Sequence, residues 1–103
     1  AQSVVQVLRY AYGQPYRDVL IRALPVGGCG GTLRRRMQGT RAAGNMRAKT
    51  GTLNAVSGLS GYVTAPNGEP LVFSILMNNF LTGPQQARAA QDRIGVLLSE
   101  LDL

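Results

Sequence analysis

The stretch Arg47-Ala48-Lys49-Thr50-Gly51-Thr52-Leu53 holds the single lysine of a chain that otherwise carries its positive charge on arginine. Lysine is a compact ammonium on a flexible stem and arginine a broad planar fork, so the two are not interchangeable where a charge must fit a narrow place. An ammonium flanked by the hydroxyls of Thr50 and Thr52 is equipped to receive a carboxylate through charge-assisted hydrogen bonds. The bland alternative is a solvated lysine without a partner. Little else in the chain can do chemistry. There is no histidine, so neither a histidine-ligated metal site nor a Ser-His-Asp triad lies within it, and no metal or cofactor is expected. Cys29 is the only cysteine and forms no internal disulfide; with no histidine to activate it, a bystander thiol is the expectation.

These residues need elements to position them, and hydrophobic periodicity supplies a plan. Val4, Val5, Leu8, Ala11 and Tyr12 recur at helical spacing after Ser3, a candidate N-cap, as far as Gly13. Pro15 opens a second short run, with Tyr16, Val19, Leu20 and Ala23 on one face. Both runs read as helices packed on a core. Pro25-Val26-Gly27-Gly28-Cys29-Gly30-Gly31 cannot hold regular structure; its glycines either permit unusual dihedrals and close backbone approach or form a flexible linker.

After Thr40 the period shortens to two, the mark of strands. Met46 and Ala48 should face inward and Arg47 and Lys49 outward, with a turn at Leu53-Asn54-Ala55. Val56 to Thr64 and Leu71 to Asn78 read as two more strands, expected to be antiparallel because Asn67-Gly68 between them is a strong hairpin signal. Tyr62, Phe73 and Phe80 are expected to pack in the core or at its edge, and Asn78 and Asn79 to end the last strand. A final helix has Pro84 in its first turn, after Thr82 and Gly83. Its apolar stripe is Ala87, Ala90, Ile94, Leu97, Leu98 and Leu101, opposite Arg88, Asp92 and Glu100. The expected organisation is one domain of the α+β class, an antiparallel sheet with flanking helices: residues 1–24 helical, 25–44 a Gly/Arg-rich connection, 45–80 three-stranded and 84–101 helical.

Composition bounds the function. At 103 residues, 45% hydrophobic and 16% charged, the chain is one small folded unit with little surplus burial. No run approaches the ~20 apolar residues of a membrane span, and the start lacks the features of a signal peptide. The net charge of +6 is lopsided: no acid lies between Asp18 and Glu69, while Arg22, Arg34, Arg35, Arg36, Arg41, Arg47 and Lys49 do. That interval should attract anions. Arg34-Arg35-Arg36 has no interleaved aromatics and no nucleic-acid signature beside it, so solvated arginines are the commoner explanation and no nucleic-acid partner is expected.

In combination the blocks are specific. LPVGGCGGTLRRRM, RAKTGTLNAVSGLSGYV, the Asn-Gly turn and LVFSILMNNF resemble, in order, the C-terminal part of the D-alanyl-D-alanine carboxypeptidase and endopeptidase family that includes penicillin-binding protein 4 type enzymes. The resemblance runs from about Val4 to the end and implies the penicillin-binding protein and serine β-lactamase-like fold, in which a Lys-Thr-Gly strand edges the active site.

It also implies roles. Lys49 supports the electrostatics beside a catalytic serine, Thr50 and Thr52 hold the substrate carboxylate, the backbone N–H of Thr52 is one of two oxyanion-hole donors, and Gly51 lets an extended peptide approach. Peptidoglycan stem peptides and β-lactams are the implied ligands, outside the cytoplasmic membrane. Two departures stand out. Gly30 occupies a loop position where the family usually has an acid, and neither Ser-x-x-Lys nor Ser-x-Asn occurs. The chain is therefore expected to be a C-terminal piece, inactive alone, whose sheet is covered by upstream sequence or by self-association. The competing reading is a catalytically silent basic module that binds anionic cell-wall polymer or nucleic acid through the segment from Arg34 to Lys49.

Overall fold

The computed structural model describes residues 2–53, 56–78 and 83–102, with the backbone alone described for a few of these, Thr52 among them. Three strands form one antiparallel sheet in the order β1-β2-β3: β1 is Arg47–Leu53, β2 Val56–Thr64 and β3 Pro70–Asn78. Helices α1 (Gln2–Tyr12) and α2 (Arg17–Ala23) precede the sheet, and α3 (Gly83–Ser99) follows it. A short 3-10 turn at Gly31–Leu33 lies in the connection.

Register fixes which side chains share a face. Lys49, Ser60 and Ser74 lie side by side across the sheet, as do Gly51, Gly58 and Leu76, and Arg47, Tyr62 and Val72. The alternate residues, among them Ala48, Leu59, Val63 and Phe73, look the other way into a core completed by Leu33, Met37, Ala42 and Met46. Val96 and Leu98 of α3 pack against that core. Each fully buried Leu, Val or Met side chain of this set contributes about 1.5–3 kcal/mol, and each alanine less. Ala48 and Met46 are completely buried while Lys49 is exposed, as period-two alternation predicts.

The β2–β3 hairpin closes through Asn67-Gly68. Gly68 takes a positive φ of 87°, the backbone N–H of Glu69 donates to Asn67 Oδ1, and Ala65 N–H donates to the Glu69 carbonyl. Pro70 occupies the first position of β3, where the missing N–H does least harm. The turn expected at Asn54-Ala55 and the reading of Asn79 and Phe80 lie outside the described residues; Leu53 and Val56 on either side of 54–55 are paired.

The glycine-rich connection is structured. Gly27 N–H donates to the Met46 carbonyl and Ala48 N–H to the Pro25 carbonyl, while Val26 forms a bridge to Arg47. Gly27 is buried, with the Ala42 carbonyl oxygen 3.1 Å from where a Cβ would sit, so close backbone approach, not a flexible link, is the use of this residue.

The helices depart from expectation in three places. α1 already includes Ser3, so the cap reading falls; helix ends shift by a residue or two because an N-cap signal does not prevent one more residue from adopting helical dihedrals. α2 buries none of its residues, with Val19 71% exposed, because periodicity identifies an apolar face without supplying anything to cover it. In α3 the expected stripe is displaced: Leu97 is 63% exposed and Leu101 lies past the helix end, whereas Ala87, Gln91, Gly95 and Ser99 are the buried positions. Small and polar residues take the inner line because the helix sits close to the sheet, with Gly95 against the ends of Met46 and Met37.

Candidate functional site

β1 is an edge strand, and its two sides differ. β2 pairs with it along its whole length. On the side away from β2, Pro25 to Gly27 occupy the stretch beside Met46 to Ala48. Because both backbone groups of a residue in an antiparallel strand point to the same side, Ala48, Thr50 and Thr52 direct theirs away from β2.

Lys49 is exposed, and its Nζ donates to the Thr50 carbonyl at 3.0 Å. Gly51 is exposed and a Cβ there would meet no atom within 4 Å. Thr50 is half-buried and stands opposite Leu59, on the core side of the pleat, so the ammonium and this hydroxyl do not share a face. Thr52 is paired with Ser57; its side chain lies outside the described residues. The four residues are thus consecutive on one edge, with Lys49 and Gly51 presented together and Thr50 turned across the strand.

Lys49, Thr50 and Gly51 line a groove of 490 Å³ that runs over Gly58 and Ser60 of β2 to Leu76 of β3, with Val4 of α1 on its far wall. Sequence reasoning missed the sheet residues of this groove. Ser60 Oγ and Ser74 Oγ are 2.9 Å apart in the same row as Lys49, and Leu76 is 55% exposed on its floor. Counting register outward from Lys49 along β2 and β3 would have found them, since all lie on the outward phase of the alternation.

At the other end of the same face, α1 closes the sheet. Tyr62 is 5% exposed, stacks obliquely on Tyr12 with ring centroids 5.7 Å apart, and donates its hydroxyl to the Leu8 carbonyl at 2.7 Å. Burial, with the neighbouring Tyr12 and Tyr16 in support, raises its pKa above the ordinary 10.0. Arg47 reaches the Ile21 carbonyl at the end of α2, at 3.5 Å.

The arginine run separates by role. Arg34 and Arg35 are exposed, whereas Arg36 is drawn into an ion pair with Asp92 of α3 at 2.7 Å. The acid absent from its own stretch of sequence comes from the C-terminal helix. Cys29 is exposed, and among the described residues no cluster of His, Cys, Asp or Glu is arranged to hold a metal ion. No described helix is long and apolar enough to cross a membrane.

Comparison with known proteins agrees with the order of blocks. The chain is 48% identical over 105 residues to a D-alanyl-D-alanine carboxypeptidase of Actinomadura, covering 97% of this chain and 19% of that protein. Penicillin binding protein 4 of Haemophilus influenzae superposes with a TM-score of 0.73 at 24% identity over 94% of this chain and 23% of its own, which establishes the fold. The same protein solved in complex with a β-lactam gives 0.73 at 28% identity over 91% of this chain and 23% of its own. The chain spans about a fifth of the length of these relatives. Residues 1–101 match the D-Ala-D-Ala carboxypeptidase 3 (S13) family, and to that family the chain belongs.

Proposed function

We propose that this chain is the substrate-carboxylate-binding part of a serine-type D-Ala-D-Ala carboxypeptidase or endopeptidase that acts on peptidoglycan stem peptides outside the cytoplasmic membrane. The observation that carries the reading is an exposed Lys49 at the rim of an open groove beside Gly51, on a strand edge that no described element covers at that point. A stem peptide ends in a free carboxylate, which the Lys49 ammonium receives at the groove rim by a charge-assisted hydrogen bond, with Thr50 turned to the opposite face of the strand. The scissile carbonyl then lies against the backbone N–H of Thr52, a donor aimed at the developing oxyanion. A serine supplied by sequence outside this chain attacks that carbonyl, D-alanine leaves, and water hydrolyses the resulting ester. A β-lactam, the class of compound with which the Haemophilus influenzae relative is complexed, is opened by the same serine attack in this reading, its amide C–N bond breaking as the serine ester forms.

The remainder of such a protein also accounts for the uncovered apolar surface. Val7 and Tyr10 of α1, Val19 of α2 and Leu76 of β3 are each more than half exposed. Those on the helices are apolar surface that upstream sequence, or a second copy, would cover, whereas Leu76 belongs to the groove floor. The basic-module reading has weaker support, because Arg36 is committed to Asp92 and the two arginines left exposed beside it make a small patch.

The test is labelling with fluorescent penicillin of the longest polypeptide that carries this chain together with an acylating serine. Lys49→Ala is expected to abolish labelling at concentrations that saturate the parent, and Lys49→Arg to restore little of it. The chain by itself is expected to take no label. Unchanged labelling of Lys49→Ala, or penicillin found by mass spectrometry on Ser57, Ser60 or Ser74, would sink the proposal.

A further inference from the structure

The open half of β1 raises a positional problem. An oxyanion donor must be placed to within about half an ångström to act. Past Ala48, β2 is the strand that sets the position of β1, and Thr52 is paired there with Ser57 near the start of β2. Ser57 is paired in turn with Met77 of β3, and a further hold on its carbonyl comes from the core side of the sheet. The Nε2 of Gln91 in α3 donates to the Ser57 carbonyl at 3.0 Å, and Gln91 is 1% exposed.

A glutamine on the inner line of a helix, where an apolar residue would pack without desolvation cost, needs both ends of its amide satisfied. Both are. Arg36 Nη2 donates to Gln91 Oε1 at 3.2 Å and also to the Arg88 carbonyl at 3.2 Å, while its Nε donates to Asp92 Oδ1 at 2.8 Å. The guanidinium can only donate and the Ser57 carbonyl can only accept, so these partners fix which way the amide points. A connected network of this kind adds direction to a packed interface more than it adds strength.

We propose that Gln91, locked by Arg36 and Asp92, is a positioning residue for the reaction. It sets the height of β2 at Ser57 and, through the Thr52–Ser57 pair, the backbone N–H of Thr52. The inference rests on the reading of Thr52 as an oxyanion donor. It gives the Arg36–Asp92 pair a purpose within the site, though neither residue approaches the groove.

The experiment measures acylation by benzylpenicillin in the polypeptide used above, separating the initial binding constant from the acylation rate constant. Gln91→Leu is expected to lower the rate constant about tenfold, less than the ~10²–10³ for outright loss of an oxyanion donor, with binding altered no more than about threefold. Arg36→Lys, which keeps the charge but loses the fork, should fall between Gln91→Leu and the parent. Val63→Ala serves as the stability control: it cuts the same core at the other end of β2 and should lower the melting temperature without changing the acylation rate constant. Acylation at the parental rate in Gln91→Leu, or a rate loss in Val63→Ala that matches its loss of stability, overturns the proposal. If Gln91→Leu misfolds, the decision passes to Arg36→Lys, whose parental rate constant would overturn it equally. Should Lys49→Ala acylate normally, it is the underlying reading of the strand that fails.

Discussion

The two halves of β1 are built on opposite terms. The first half is fastened on every side: Gly27 and Pro25 hydrogen-bond one edge, β2 the other, Ala48 and the preceding Met46 are completely buried, and Arg47 reaches under the end of α2. Gly61 presses on it from β2, where a Cβ would run into the Arg47 carbonyl oxygen and come within 2.5 Å of Ala48 Cα. The second half carries Lys49 and Gly51 into open space. A strand clamped at one end and presented at the other keeps its exposed residues in register without burying them, which is what recognition of an extended peptide requires.

Three substitutions put that contrast under load. The largest effect belongs to Gly61→Val. Its side chain collides with backbone rather than with the end of a flexible side chain, so the loss should exceed the ~1–3 kcal/mol of ordinary overpacking, and circular dichroism should show a sheet that melts far earlier or does not form. A stable Gly61→Val chain would mean that the clamp is looser than the geometry indicates.

Tyr62→Phe is next. It removes the hydroxyl donated to the Leu8 carbonyl and should cost about 1 kcal/mol by denaturant titration. The alkaline limb changes too. A tyrosine whose folded pKa is raised above 10.0 contributes stability that is fully present below the unfolded pKa and is lost as pH rises through the folded value. Parent and variant stabilities should therefore converge above about pH 10; a constant gap through that range would contradict the assignment.

Gly51→Ala is the smallest in stability. With nothing within 4 Å of the new methyl, the unfolding free energy should stay within about 0.5 kcal/mol of the parent, while penicillin labelling of the longer polypeptide falls. Labelling that is unaffected would show that the ligand does not approach this position.

The fold was legible where one local rule decided the outcome. Period-two alternation placed Val56 to Thr64 in a strand with the observed limits, and Asn67-Gly68 marked the hairpin because few other pairs accept its backbone. It was illegible where the answer depended on a distant partner. The helical stripe of α3 assigned Leu97 to the core, but the sheet meets Gln91 and Gly95 instead, and nothing local in the sequence says that a glutamine will serve a strand carbonyl 34 residues away. Arg36 looked like one of three solvated cations because Asp92 lies 56 residues downstream. The Lys49 edge was read from its own residues and from family resemblance; the serine row beside it and the turning of Thr50 to the opposite face follow only from register.

The seat of α3 has a mechanical consequence. At Gly95 the helix meets two thioethers, with Met46 Cε 2.6 Å and Met37 Sδ 3.1 Å from the position a side chain would begin. Such unbranched tails re-seat at low cost. A side chain introduced at Gly95 would therefore be met first by movement of these two thioether tails, and only then by the root of β1.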